Sequence, residues 1–530
     1  MRTAAILLFV VLTGTGGEIS MTHAMKLVGE VHDFRPRAIA RFIGRAFRVG
    51  WLWLGLALMT AAFFSLLTMF SWYPVSFVVP ATSLAYVAGA FGARIFLRER
   101  LNATRWAGIL LICCGVAMAW VDQAPPALQA ISAGRVLRLT IMTLALAPLA
   151  YYLAAIFSAW RFFRVAHRAA PPQADFTPPV SVLKPVRGCD ADTYEDFASF
   201  CRQDYPAYEI LFAVGDPDDP AAGAVRKLME TFPERAIRLI VAGDKLGANH
   251  KVSSLCRLAR EARHDLLVIT DGDVRVAPDY LRRVAGMFRD PRVGGVTALY
   301  RGSSRTLLAK GRGAGSLVAA MDCVGASTAF SGAALVACEL EGLKFMMGST
   351  MATTKQRLAE IGGFEALVDL HSDDYELGKR IAEKGYRIEL LPQPVEMTFP
   401  QQSLGNYLRH ELRWEVGIRN IRPGGHFGMV FTHGLPWAIA AAAVASSWRV
   451  GVAYLAAYSV LRLAMAWTVG VWGLRDPVLR KRIWLFPLRD FLSFFTWLAS
   501  FVVRRIEWRG DVFRLEKGRM VPVPSRAPRG

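Results

Sequence analysis

Apolar positions along the chain follow two regimes. Long apolar runs occupy both ends, whereas between about 175 and 425 short apolar stretches alternate with polar, helix-period ones. The N-terminal runs lie at about 4–12, 49–70, 74–97, 106–121 and 136–160, and the C-terminal ones at about 428–446, 451–473 and 484–503. Most approach the ~20 residues that a helix needs to span a bilayer. The first follows a single Arg2, but Gly14-Thr-Gly-Gly-Glu-Ile-Ser-Met offers no clear small-residue cleavage site, which predicts a retained first helix. Trp51, Trp53, Trp72 and Tyr73 stand near run ends, where aromatic rings favour the membrane interface.

In the middle regime the pattern predicts strands at Val180–Leu183, Glu209–Val214, Arg238–Val241, Leu266–Thr270 and Gly295–Leu299. Helical patterns such as Ala248–Ala262 and Pro278–Met287 separate them. Strands alternating with helices imply βαβ units and a mainly parallel sheet with helices on both faces. The run Leu266–Thr270 reads as a strand buried on both faces, and it stops at Asp271-Gly272-Asp273. The carboxyl ends of such strands are where open α/β sheets bind ligands. Two hard oxygen donors at this spacing suit a divalent cation that also holds a diphosphate; an ordinary polar turn would look the same.

Composition narrows the partners. The chain has 530 residues, 53% of them hydrophobic, and 63 Lys and Arg against 43 Asp and Glu, for a formal net charge of +20. Mean hydropathy is +0.29. Such an excess suits nucleic acid, anionic lipid or a phosphorylated substrate. Membrane runs, with no zinc-finger or RNA-recognition signature, argue against nucleic acid. The seven cysteines are odd in number and form no CxxC pair, which fits a reducing, cytoplasmic setting for the soluble part.

Basic loops set the expected topology. Arg35, Arg37, Arg41, Arg45 and Arg48 lie between runs one and two, Arg98, Arg100 and Arg105 between three and four, and Arg161, Arg164, His167 and Arg168 after five. If every run crosses, these loops share one side, and the soluble region begins in the cytoplasm. The expectation is an integral, multi-pass protein, of a bacterial inner membrane. Three C-terminal crossings would strand the basic tail from Arg504 outside. Because 484–503 contains Pro487, Arg489 and Asp490, two crossings and one interfacial segment are expected.

Two resemblances follow from particular residues. Glu18, Ala24-Met-Lys26, Tyr73-Pro74 and Arg100-Leu-Asn-Ala-Thr-Arg-Trp-Ala-Gly-Ile-Leu-Leu-Ile-Cys-Cys-Gly-Val116 resemble the four-helix small multidrug resistance and drug/metabolite transporters. The likeness implies an intramembrane carboxylate at Glu18, and a unit that transports, anchors or forms a homo-oligomer.

The second is carried by Lys184-Pro185, Asp204-Tyr-Pro-x-Tyr-Glu209, Asp218-Asp-Pro-Ala221, Gly247-Ala-Asn-His-Lys251, Ile269–Val276, Gly348-Ser349, Asp373-Asp-Tyr375, Arg413-Trp414 and Trp508-Arg-Gly-Asp-Val-Phe-Arg514. Alone each has an ordinary structural reading, such as a loop, an N-cap pair or an interface anchor. Their order resembles inverting family-2-type glycosyltransferases, above all ceramide glucosyltransferases and related hopanoid-associated enzymes, over about 145–515. The resemblance implies an α/β nucleotide-diphospho-sugar transferase fold, GT-A-like with a mainly parallel sheet, between N-terminal and C-terminal transmembrane helices. It implies a UDP-sugar donor and a membrane lipid acceptor, ceramide or a hopanoid.

By the same likeness Asp216 would contact the uridine with Lys251 nearby. Asp271 would orient the nucleotide and, with Asp273, hold Mg²⁺ or Mn²⁺. Asp374 would be the general base, Arg413 a cation for the diphosphate, and Trp414 a wall of the acceptor site. The chain departs from the pattern in carrying His410 at the first position of the last motif, which weakens the analogy to processive polysaccharide synthases. It also carries Asp273, where animal ceramide glucosyltransferases keep only the first Asp. The expected organisation is 1–122 (four-helix region), 123–174 (linker and fifth helix), 175–425 (cytoplasmic catalytic domain), 426–505 (C-terminal membrane helices) and 506–530 (basic tail). A transporter with a regulatory nucleotide-binding domain is the rival reading.

Overall fold

The computed structural model describes residues 2–29, 42, 44–73, 75–83, 85–89, 108, 112, 133–168, 176–243, 245–303, 314–508 and 510–523. They fall into two compact units, Met1–Leu137 and Arg138–Gly530.

In the first unit, helices Arg2–Val28 and Gly50–Trp72 pack backbone to backbone at Gly17 and Gly55. A Cβ on Gly55 would lie 3.1 Å from Gly17 O, so small residues are what permit the contact. Glu18 lines an otherwise largely apolar cavity of about 490 Å³ with Val10, Gly14, Met59, Phe63 and Leu66. Pro74, the basic positions Arg35, Arg37, Arg41, Arg98, Arg100 and Arg105, and all of Arg100–Val116 except Gly108 and Ile112 lie outside the described residues.

The second unit is built on strands β1 (Val180–Pro185), β2 (Tyr208–Val214), β3 (Ala236–Val241), β4 (Leu266–Ile269), β5 (Val274–Arg275), β6 (Val293–Thr297), β7 (Tyr300–Gly302), β8 (Met351–Thr354), β9 (Arg387–Leu390), β10 (Val395–Met397), β11 (Arg505–Trp508), β12 (Asp511–Glu516) and β13 (Arg519–Pro522). The main sheet has seven strands in the order β3-β2-β1-β4-β8-β6-β9. All run parallel except β8, which is antiparallel to both its neighbours. This is the mainly parallel α/β sheet that the strand and helix pattern implies. Every residue of β1 and β4 is buried, as continuous apolar strands covered on both faces must be. A small sheet, β5-β10-β7, hangs from the end of β4.

One hydrophobic core joins this sheet to the apolar helices. Leu183, Ile269, Phe163, Ala319, Val324, Met465 and Val469 belong to a single buried cluster. Among the described residues, five helices are long and apolar enough to cross a membrane: Ile6–Val28, Gly50–Trp72, Gly134–Ala166, Gly315–Glu341 and Trp448–Gly473. A sixth candidate is the pair Pro423–Thr432 and Gly434–Val444, bent by 54°.

Two features depart from the expected organisation. The stretch 506–530 is more than a tail, because β11–β13 form a sheet docked on the catalytic region. His371 N donates to Gly518 O at 3.0 Å and Met520 N to Asp369 O at 2.7 Å, while Phe513, Leu515 and Met520 pack on Val416. The two ends of 422–504 therefore lie on one side of any membrane, and crossings between them come in pairs. Helix Phe486–Ser500 has 15 residues, about 22 Å, too short to span.

The second departure is helix Gly315–Glu341, which interrupts the catalytic region. The chain leaves the small sheet at Gly302 and rejoins the core where Met347 N donates to Thr297 Oγ1 at 2.9 Å. More than half of its most apolar window is buried inside the protein, so this helix is part of the core as well as a candidate span. Arg161 and Arg164, expected after the fifth helix, stand inside it.

Candidate active site

Loops at the carboxyl end of β4 converge because two glycines let backbones touch. Gly378, in helix Asp373–Glu383, lies against Phe345 and Met346, and a Cβ there would sit 2.5 Å from Met346 N. Gly348 faces Asp271, whose Oδ2 lies 2.5 Å from where a Cβ would be. Gly348 O also accepts from Asp271 N at 3.1 Å, and Gly348 N donates to Asp374 Oδ2 at 3.0 Å. One glycine thus holds both carboxylate-bearing segments.

The motif Gly247–Lys251 aims a cation at them. Asn249 caps helix His250–Glu261 by accepting from Val252 N, and its Nδ2 donates to Leu370 O at 2.7 Å. Lys251 Nζ then reaches Asp271 Oδ1 at 2.8 Å and Asp373 Oδ2 at 3.1 Å. Burial pulls this lysine down, but Asp271, Asp373 and Asp374 outweigh it and the ammonium is held charged. Lys184 is wholly buried, donating to Thr270 Oγ1 at 2.8 Å and Asp271 O at 2.9 Å with Phe200 4.0 Å beneath it. Burial lowers it to about 8, against the raising fields of Asp196, Asp273 and Asp271.

The carboxylates respond to crowding. Asp374 is pushed up to about 6 by burial and by Asp373, against Lys251. Tyr375 N donates to its Oδ1 at 2.7 Å, so both oxygens are fixed. Asp273 is pushed up to about 7 by burial and by Asp271. Its Oδ1 is sealed from solvent with no hydrogen-bond partner. A buried acceptor with no donor is costly, and an electropositive ligand would satisfy it.

Asp216 lies apart, on an exposed turn after β2 where its Oδ1 accepts from Asp218 N at 2.9 Å. Among the described residues no hydrogen bond or ion pair joins it to Lys251 or Asp271. Arg413 lies on helix Leu404–Ile421, its guanidinium 5.8 Å from the Trp508 ring of the C-terminal sheet. Burial, then Arg413, lower both His371 and His410 to about 4, so the two imidazoles are neutral near pH 7. Trp414, 40% exposed, stands 6.0 Å from Phe330 and 5.9 Å from His410.

The sequence pattern of glycosyl transferase family 21 matches residues 140–521, from the fifth helix to the C-terminal sheet. The chain belongs to this family.

It is therefore a glycosyltransferase. It is 25% identical over 380 residues to ceramide glucosyltransferase 1 of Caenorhabditis elegans, covering 68% of this chain and 76% of that one. It is 29% identical over 153 residues to the ceramide glucosyltransferase of Gibberella zeae, covering 26% and 29%. Among solved structures it is similar to a mannosyltransferase from Pyrobaculum calidifontis in complex with GDP-mannose and Mn²⁺, at 21% identity and TM-score 0.39 over 68% of this chain and 99% of that chain.

The family 21 match covers every residue singled out in the catalytic region, and Glu18 falls outside it. The structure adds partners that sequence reasoning did not assign: Lys184 beneath Asp271, Asp373 as second ligand of Lys251, and Gly348 as the hinge of the shelf. Lys184, Gly348 and Asp373 stood inside quoted motifs. Asp322, His410 and Glu411 have side-chain atoms within 4.8 Å of one another; His410 opens the last motif, whereas Asp322 had no such signal.

Proposed function

We propose that this glycosyltransferase moves a hexose, glucose in the first instance, from a UDP-sugar to the hydroxyl of a ceramide with inversion at the anomeric carbon. The observation that carries the reading is Asp374. It is a carboxylate with both oxygens oriented, at a helix N-terminus beside the shelf of Asp271 and Asp273. The relatives' names supply the acceptor class.

In the reaction Asp374 accepts the proton of the acceptor hydroxyl as that oxygen bonds to the anomeric carbon and the bond to UDP breaks. Such base catalysis is typically worth ~10²–10⁴-fold. The helix dipole favours the ionised base, while burial and Asp373 oppose it, so its charge state changes near pH 6. Lys251 steers Asp271 and keeps positive charge next to the diphosphate position, and Asp216 contacts the uridine. Arg413 adds a permanent cation.

The donor set fits Mg²⁺ or Mn²⁺. Asp271 and Asp273 supply hard oxygens, and Asp273 Oδ1 lacks a partner. Bound there, the metal would neutralise charge on the departing diphosphate as a Lewis acid. Basic residues in and after the last turn of the fifth helix, Arg164 and Arg168, support a catalytic domain on the cytoplasmic side.

The test is mass spectrometry of lipids from membranes carrying the protein, given UDP-glucose and ceramide. A hexosylceramide is expected from wild type and from Glu18→Gln, and none from Asp374→Asn. Full activity of Asp374→Asn on every acceptor would overturn the base assignment. Product formation that fails in Glu18→Gln would favour the transporter reading.

A further inference from the structure

Asp322 and His410 stand 88 positions apart in the sequence, yet the fold closes them into one polar cluster. Asp322, 7% exposed, projects from helix Ala314–Val324 to within 4.8 Å of His410 and Glu411 on helix Leu404–Ile421. Gln402 Nε2 donates to Asp322 Oδ2 at 2.6 Å. Arg489 Nη2 donates to Glu411 Oε2 at 3.2 Å, which commits Glu411 to holding its helix against Phe486–Ser500. The ring nitrogen Nδ1 of His410 is sealed from solvent and has no partner. The groups left for a ligand are therefore the Asp322 carboxylate and the His410 imidazole.

The surroundings specify what that ligand is. Trp414, Phe330 and Tyr300 form an unbroken aromatic row from His410, with successive ring centroids 5.9, 6.0 and 5.3 Å apart. Tyr300 belongs to β7, which β10 joins to β5, the strand that starts immediately after Asp273. Burial first, then the charges of Asp374, Asp273 and Glu411, push the Tyr300 hydroxyl up. The helix that carries Asp322 runs into Gly315–Glu341, one of the stretches long and apolar enough to cross a membrane, and Leu317 on it is 39% exposed. Leu317 and Trp414, 39% and 40% exposed, put apolar surface on the two helices that carry Asp322 and His410. A metal ion fits less well, because Arg489 binds Glu411 and Arg413 adds positive charge at His410.

We propose that Asp322 and His410 bind the polar head of the lipid acceptor. Asp322 accepts from its amide N–H, His410 bonds the hydroxyl neighbouring the reacting one, and Phe330 and Trp414 hold the start of its chains. This rests on the lipid-transferase reading above and deepens it, making the cluster the determinant of acceptor class.

The test uses full-length protein in nanodiscs, UDP-glucose and three acceptors: a short-chain ceramide, its N-methyl amide and its 3-deoxy analogue. Wild type should prefer the N–H over the N-methyl acceptor by roughly tenfold in kcat/KM, the upper range for an ordinary hydrogen bond. In Asp322→Asn that preference should collapse through the acceptor KM, with the UDP-glucose KM unchanged. In His410→Gln the preference for the 3-hydroxyl acceptor should collapse instead. A merely structural role would slow all three acceptors in the same ratio, and that result would overturn the assignment. So would stoichiometric zinc or manganese in purified wild type that is lost in Asp322→Asn. If wild type glycosylates none of the acceptors, the lipid-transferase reading fails and takes this one with it; normal turnover with unchanged ratios in both variants refutes the head site alone.

Discussion

Two buried ionic groups in the same unit have opposite designs. Among the apolar helices, Arg462 is 2% exposed and meets Asp490 through two bonds, Nε–Oδ2 at 2.8 Å and Nη2–Oδ1 at 2.9 Å. Tyr458 and Thr328 complete it, donating to Asp490 Oδ2 and accepting from Arg462 Nη2. One cation meets one anion, and the helices are tied together. At the sheet edge Lys251 faces Asp271, Asp373 and Asp374, with Asp273 beyond and its Oδ1 unpartnered. The bidentate pair is balanced in charge as it stands, although Arg462 Nη1 is buried without a hydrogen-bond partner. An excess of carboxylate with an orphaned oxygen is stable only as a place where something positive, or a proton, arrives. The comparison teaches that charge balance, more than burial, separates a structural network from a working one.

The sharpest way to break this contrast is to neutralise one member of each group. Asp374→Asn should cut transfer by ~10²–10⁴-fold with thermal stability unchanged or slightly raised, because it removes a crowded buried charge. Initial rates and a melting curve in detergent check both halves. Arg462→Met should do the reverse. Leaving Asp490 alone in an apolar setting costs about 3–5 kcal/mol, seen as lost folded yield, and Arg462→Met with Asp490→Leu should recover most of it.

A smaller effect is expected for Asp273→Ala, which should weaken dependence on added Mg²⁺ or Mn²⁺. A chelation and add-back titration that matches wild type would remove Asp273 from the metal set. The pH profile should move least. A base whose pKa is raised is protonated, and idle, below it, so kcat should rise as pH climbs through about 6. The same sign makes Asp374 a stability liability that grows as pH rises from its ordinary range to that value. A rate that is flat between pH 5 and 7 would count against the assignment.

The parts legible in the sequence share a physical reason. Leu266–Ile269 and Val180–Pro185 are continuous apolar stretches because parallel strands are covered on both faces, and their ends mark the ligand edge. Asp271, Asp273 and Asp374, which the fold brings near one another, each sit in a short motif beside such an end or on a helix. The antiparallel β8, sandwiched between β4 and β6, was not, since pairing direction leaves no periodicity to detect. The C-terminal sheet looked like a basic tail because its exposed residues alternate with single buried ones, Phe513, Leu515 and Met520. Glu18 lines a largely apolar cavity, and most of the transporter-like motif lies outside the described residues.

By itself, then, the amino-acid order determined an α/β transferase region flanked by apolar helices, and the carboxylates at its ligand edge. Those properties live in local pattern, which one stretch of chain carries alone. Tertiary structure decided what needs two distant stretches at once. It gave Lys251 its partners, set Gly348 as the hinge between Asp271 and Asp374, placed the C-terminal sheet on the catalytic side, and closed Asp322 onto His410. Contacts of that kind are set by where chain segments cross in space, and no spacing along the sequence encodes them.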